Sequence, residues 1–147
     1  MPQILTDPIR FRYMEAYRKF QQLTYPEAIR DHGFLSPKYP DTRKANGLTM
    51  FVINFINWNG GNATRISSSG RMVGNRYIPG TTRKGTADVT ATIRGRSVKL
   101  EIKVGSDRPS PFQLAEQRRE RAAGGVYEFI SDPEQFIIWY DEFVKSI

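Results

Sequence analysis

The sequence predicts an α/β domain built on a small mixed sheet, and three observations carry that prediction. The stretch from Gly85 to Gln113 reads as a β-hairpin running into a helix. A long amphipathic helix, Thr42 to Trp58, comes before it. After it come a helix, a Gly124-Gly125 stop, a strand at Val126 to Ile130 and a last helix. A strand reached through a helical crossover lies parallel to its neighbour. The sheet is therefore expected to be mixed, with helices on both faces. At 147 residues the chain is one ordinary domain, 1–147, with a helical extension over about 1–40 and a core over about 41–147.

Residues 1–7 read as an unstructured lead. Pro8 to Gln21 is a helix with Asp7 as N-cap and Pro8 at its first position. Ile9, Tyr13, Ala16 and Phe20 form its apolar stripe, and Arg10, Arg12, Arg18 and Lys19 face elsewhere. Pro26 to Asp31 is a short helix ended by His32-Gly33, and Leu35 to Pro40 is a loop. In Thr42 to Trp58, Leu48, Phe51, Val52, Phe55 and Ile56 make a wide core-facing stripe. Asp41 or Thr42 starts this helix and Gly60-Gly61 stops it. Asn62 to Ser68 is a short strand. Ser67 to Gly80, with Arg71 and Arg76, is either a hairpin or a loop over a substrate.

The central hairpin sets the chemistry. In its first arm Ala87, Val89, Ala91 and Ile93 alternate with Asp88, Thr90 and Thr92. In its second, Val98, Leu100, Ile102 and Val104 alternate with Lys99, Glu101 and Lys103. Strand side chains switch face at every residue, so each arm has one apolar and one polar face. A two-residue turn at Arg94-Gly95 pairs Ile93 with Arg96, Val89 with Leu100 and Asp88 with Glu101. A slip of one residue would turn apolar side chains onto the polar face. Carboxylates directly opposite sit roughly 4.5–5.5 Å apart at Cβ and repel. A hard divalent cation such as Mg²⁺ or Mn²⁺ gives such a pair a purpose. The plain alternative is a solvated row, with Lys99 or Lys103 neutralising Glu101.

Composition narrows the options. There is no cysteine, so disulfides and thiolate metal sites are excluded. One histidine, His32, excludes a histidine triad or cage. Twenty-two Lys+Arg against 15 Asp+Glu give a net charge of +7, which suits a polyanion such as nucleic acid. No apolar run approaches the roughly 20 residues of a membrane span. No secretory signal is visible at the start, and a cytoplasmic location is expected.

Gly85-x-x-Asp88, Glu101-x-Lys103, Ser110-Pro111-Phe112-Gln113 and Gly124-Gly125 follow one another in an order that resembles the PD-(D/E)xK nuclease superfamily. Within it the chain is most similar to the VRR-NUC and Holliday-junction-resolvase-like branch, over about Gly80 to Ile130. That resemblance implies a restriction-endonuclease-like αβββαβ core and Mg²⁺- or Mn²⁺-dependent hydrolysis of phosphodiester bonds in DNA, with branched or flap DNA as the suggested substrate. Asp88, Glu101 and the Ile102 carbonyl would hold the metal. Lys103 would orient or deprotonate the attacking water, and Gln113 would position that water or Lys103. Ser110 and Gln113 also form a capping box, so capping alone is a second reading of Gln113. Arg83, Lys84, Arg108, Ser110, Arg118 and Arg119 are candidates for nucleic-acid contacts. A resolvase would work as a homodimer, since two symmetric cuts need two sites. One departure stands out: the helix Thr42 to Trp58 carries no acid where many members have one. Asn46, Asn54, Asp41, Glu15 and Glu27 are the substitutes to weigh. Two other readings remain: a nuclease-fold module that binds nucleic acid but cuts poorly, and a structural or assembly protein of a phage or mobile element.

Overall fold

The computed structural model describes residues 7–66, 71–80 and 83–147. The expected lead before Asp7, and positions 67–70 and 81–82 of the polar connection, lie outside the described residues. In chain order the elements are α1 (Pro8–Thr24), α2 (Pro26–His32), α3 (Ala45–Trp58), β1 (Asn62–Arg65), β2 (Arg71–Val73), β3 (Arg76–Ile78), β4 (Val89–Ile93), β5 (Arg96–Ile102), α4 (Pro111–Ala122), β6 (Val126–Ile130) and α5 (Pro133–Ser146). The main sheet has the order β1-β4-β5-β6. The β1–β4 and β4–β5 pairs are antiparallel, and β6 joins β5 in parallel after the α4 crossover. This is the expected αβββαβ core, with the β2–β3 hairpin inserted between β1 and β4 as a separate two-stranded sheet.

One face of the sheet carries the main core. Val89, Ala91, Ile93, Val98, Leu100 and Ile102 point into it, as their alternation dictates. α3 lies against them through Leu48, Phe51, Val52, Phe55 and Ile56, all buried. α1 and α5 complete the layer, with Tyr13 stacked on Phe51 at 4.9 Å and Tyr140 edge-on to Phe55 at 5.1 Å. Arg12 lies off the apolar stripe of α1 and is half-buried. Its guanidinium grips Asp141 of α5 with two bonds of 2.9 and 2.8 Å, tying the first helix to the last.

Several boundaries differ from the sequence reading for local reasons. α1 runs on to Thr24, and the buried Gln21 amide exchanges two 2.8 Å bonds with the backbone of Leu35, pinning the following loop. α3 begins at Ala45, not Thr42, because the Asp41 carboxylate is taken by Arg43 and a turn precedes the helix. Gly47 lies so close to the Asp41 carbonyl that a Cβ there would collide with it. β1 ends at Arg65. α5 is capped by Asp132, whose side chain accepts from the Gln135 N–H, while the Gln135 side chain reaches back to the Ser131 N–H.

The hairpin register is the expected one, Ile93↔Arg96, Ala91↔Val98 and Val89↔Leu100. Its turn works because Arg94 (φ 47°) and Gly95 (φ 79°) both take positive φ, the twist a two-residue hairpin needs.

Candidate active site

The opposite, polar face of β5 and β6 is covered by α4. Lys99 and Tyr127 pair in register, as do Glu101 and Phe129, so all four side chains share that face. α4 buries no residue fully and meets the sheet through polar contacts. Gln117 donates to the Tyr127 carbonyl at 3.1 Å, and Glu120 receives Lys99 at 3.2 Å.

Asp88 and Glu101 meet just beyond the end of the β4–β5 ladder. The last backbone pair is Val89↔Leu100. Past it, the two carboxylates replace backbone carbonyls as acceptors. The Asp88 N–H donates to Glu101 Oε2 at 3.1 Å, and the Ile102 N–H donates to Asp88 Oδ2 at 3.0 Å. Each acid therefore fixes the backbone beside the other. In an extended chain a residue's N–H and C=O point to the same side. The Ile102 carbonyl thus faces the Asp88 side as well.

Glu101 is only 4 % exposed. Its Oε1 accepts from Gln113 Nε2 at 2.9 Å and lies 3.7 Å from Lys103 Nζ. The Lys103 side chain is 13 % exposed and also lies 3.5 Å from Asp107. This is not the solvated charge row of the plain alternative: Lys99 goes to Glu120, and the pair that forms, Lys103 with Glu101, is largely buried. The Gln113 side chain is bonded at both ends. Its Oε1 accepts from the Ser110 N–H at 2.9 Å, closing the capping box, while its Nε2 holds Glu101.

Gly85 is needed at its position for two reasons. Its φ is +88°, and a Cβ would run into the Phe112 carbonyl and the Gln113 nitrogen at the start of α4. Its carbonyl receives the hydroxyl of Tyr127 at 2.8 Å. Tyr127 is completely buried beside the two acids, and the sequence reading missed it. It falls on the face of Glu101 and Lys99 through the parallel register of β6 on β5, which the α4 crossover sets.

The electrostatics follow from this packing. Burial, and then the neighbouring Asp88 charge, push the Glu101 carboxyl up to about 7, against the pull of Lys103. The Tyr127 hydroxyl is raised too, first by burial and then by the charges of Glu101 and Asp88. Two converging carboxylates, one of them held partly protonated, form a site that a cation would relieve. The donors are all oxygens, which suits Mg²⁺ or Mn²⁺. Among the described residues no group of three or more His, Cys, Asp or Glu side chains gathers to hold a metal. Mg²⁺ commonly takes one or two carboxylates and completes its shell with waters and phosphate oxygens, so Asp88, Glu101 and the Ile102 carbonyl fit it.

Three of the candidate substitutes for the missing helical acid are bonded elsewhere. Asn46 accepts from Arg65 at 2.9 Å, Asn54 donates to the Tyr13 hydroxyl at 3.0 Å, and Asp41 holds Arg43. Glu15 is half-buried on α1, and Glu27 is exposed on α2.

The basic candidates spread around this centre. Arg83 and Arg119 both reach the half-buried Glu116, at 3.6 and 2.7 Å. Lys84 sits over the Phe112 ring at 5.0 Å. The Arg108 guanidinium folds onto the carbonyls of Gly105 and Asp107. Ser110 is the α4 N-cap, and Arg118 is exposed on α4. Arg83, Lys84 and Ser110 adjoin the Gly85–Phe112 contact, whereas Arg118 and Arg119 lie further along the helix. No helix among the described residues is long and apolar enough to cross a membrane.

The sequence matches no protein-family profile and no curated protein. The fold does match. A solved structure described as a VRR_NUC domain superposes with a TM-score of 0.52 at 20 % identity, covering 68 % of this chain and 96 % of that one. The chain therefore has the nuclease-like fold of that domain, with about a third of its length additional to it.

Proposed function

We propose that this VRR_NUC-like chain is a metal-dependent nuclease that hydrolyses phosphodiester bonds in DNA, with Mg²⁺ or Mn²⁺ as its cofactor. The observation that carries the reading is the reciprocal Asp88–Glu101 arrangement, with Lys103 3.7 Å from Glu101 and Gln113 holding the same carboxylate. A structural hairpin has no need to bury an acid against another acid. When bound, the cation would lower the pKa of a coordinated water and offset charge on the phosphate. Asp88 and Glu101 would supply its anionic donors, and the Ile102 carbonyl a neutral one. Lys103 would orient or deprotonate the attacking water, or meet the scissile phosphate. Gln113 keeps the Glu101 carboxylate turned toward Lys103. Branched or flap DNA remains the proposed substrate class, and a homodimer the proposed assembly for paired cuts.

One observation favours a second reading, a nuclease-fold module that binds DNA and cuts weakly. Only two carboxylates meet among the described residues, and the asparagines of α3 are bonded elsewhere. The test that separates the readings is a panel of single-stranded, duplex, flap and four-way DNA, with Mg²⁺, Mn²⁺ or EDTA. Cleavage is expected only with metal, and Asp88→Ala or Glu101→Ala should abolish it while binding persists. Equal cleavage in EDTA overturns the metal-dependent reading. Binding of the wild-type protein without cleavage on every substrate favours the second.

A further inference from the structure

The β2–β3 hairpin is unlike the rest of the molecule. An isolated two-stranded hairpin is marginally stable at best, and this one leaves its large apolar side chains in water. Met72 and Tyr77 are 62 % and 64 % exposed, and Val73 and Ile78 are exposed as well. The pairing sets Met72 directly opposite Tyr77, so the two side chains stand together on one face. Val73 and Arg76 face each other on the other side.

The hairpin leaves and re-enters the fold beside the candidate active site. Just before it, the Ile66 N–H donates to the Asp88 carbonyl at 2.7 Å. Just after it come Arg83, Lys84 and then Gly85, whose carbonyl Tyr127 holds. Tyr77 is six residues from Arg83, so their Cα atoms are no more than about 20 Å apart. Charge sets this region apart too. From Thr42 to Ala87 there is no Asp or Glu, while Arg43, Lys44, Arg65, Arg71, Arg76, Arg83 and Lys84 give seven positive charges. The other 15 basic residues are matched by the 15 acids, so this acid-free segment accounts for the whole net charge of +7.

Exposed aromatic and apolar side chains on a stretch of chain that carries cations and no acid make a surface for bases and phosphates together. We propose that the β2–β3 hairpin is a contact surface for unpaired nucleobases, with Tyr77 and Met72 as the stacking face and Arg76, Arg83 and Lys84 taking the adjacent phosphates. This rests on the reading that the chain acts on DNA, and it names the feature of the DNA that the protein recognises. A base inside an intact duplex keeps its faces stacked on its neighbours, so single strands and forks are preferred over blunt duplex.

The test is equilibrium binding of the full chain in EDTA, where no metal supports cleavage, to a labelled single strand, a forked duplex and a blunt duplex. Tyr77→Ala should weaken single-strand and fork binding by about tenfold, the loss of one stacked base, and leave blunt-duplex binding within about twofold. Tyr77→Phe keeps the ring and should bind as wild type. Arg76→Ala should weaken all three and reduce the salt dependence. Circular dichroism confirms that each variant folds. The proposal is overturned if Tyr77→Ala and Met72→Ala bind every probe as wild type does. It is also overturned if wild type binds none of them, or if the substitutions change only self-association in sedimentation. A hairpin effect on binding with no cleavage in Mg²⁺ or Mn²⁺ overturns the nuclease reading alone. Metal-dependent cleavage with no hairpin effect overturns this proposal alone.

Discussion

Glu101 should make the metal-free protein less stable as pH rises, and Glu101→Gln should remove that dependence. The carboxyl is raised from 4.5 to about 7 in the folded chain. A group raised on folding contributes stability that is fully present below its unfolded pKa and is lost as pH rises through the folded one. The window is therefore pH 4.5 to about 7. Holding the carboxyl at about 7 rather than 4.5 corresponds to up to about 3 kcal/mol. The side chain is only 6 % exposed, so solvent screening trims the figure little. For a chain of this length the loss amounts to roughly 10 °C in melting temperature. The assay is thermal and urea unfolding in EDTA at several pH values, for wild type and Glu101→Gln together. The other titrating groups largely cancel in the difference. Wild type should lose up to about 3 kcal/mol relative to the variant between pH 4.5 and 8. Parallel pH profiles for the two proteins would refute the buried, charge-crowded state assigned to Glu101.

Three other outcomes follow from the same geometry. Gln113→Glu keeps an acceptor for the Ser110 N–H but removes the donor to Glu101 and adds a third acid. Helix capping should survive, seen as unchanged α-helical circular dichroism, while metal-supported cleavage falls; unchanged cleavage would leave Gln113 as a cap alone. Lys103→Met removes the cation beside Glu101 and should lower the cleavage rate by about 10²-fold or more, the usual worth of a positioned proton-transfer group, and single-turnover kinetics will read it. Gly85→Ala places a methyl group at positive φ against the α4 backbone and should cost about 2–4 kcal/mol in urea unfolding.

The sequence made the hairpin legible because period-two alternation on both arms admits one parity, and parity alone brought Asp88, Glu101 and Lys103 to one face. It also located α3, whose apolar stripe is wide and uninterrupted. Three things were not legible, each for a physical reason. That the two acids act as backbone acceptors beyond the ladder depends on where the ladder ends, which no residue pattern marks. The Arg12–Asp141 clamp joins residues far apart in the chain, and a charged residue on a helix looks the same whether it meets solvent or a distant partner. Tyr127 sits in a strand whose register against β5 is set by the α4 crossover, so its place under Glu101 emerges only once that crossover is built.

The most direct measurement is calorimetric titration of Mn²⁺ into the metal-free protein at pH 7, for wild type, Asp88→Asn and Glu101→Gln. Wild type should take up Mn²⁺ and release protons as it does so, because Glu101 must ionise to bind it; both variants should lose that uptake. Equal Mn²⁺ uptake by all three proteins would mean that these two carboxylates do not hold the ion.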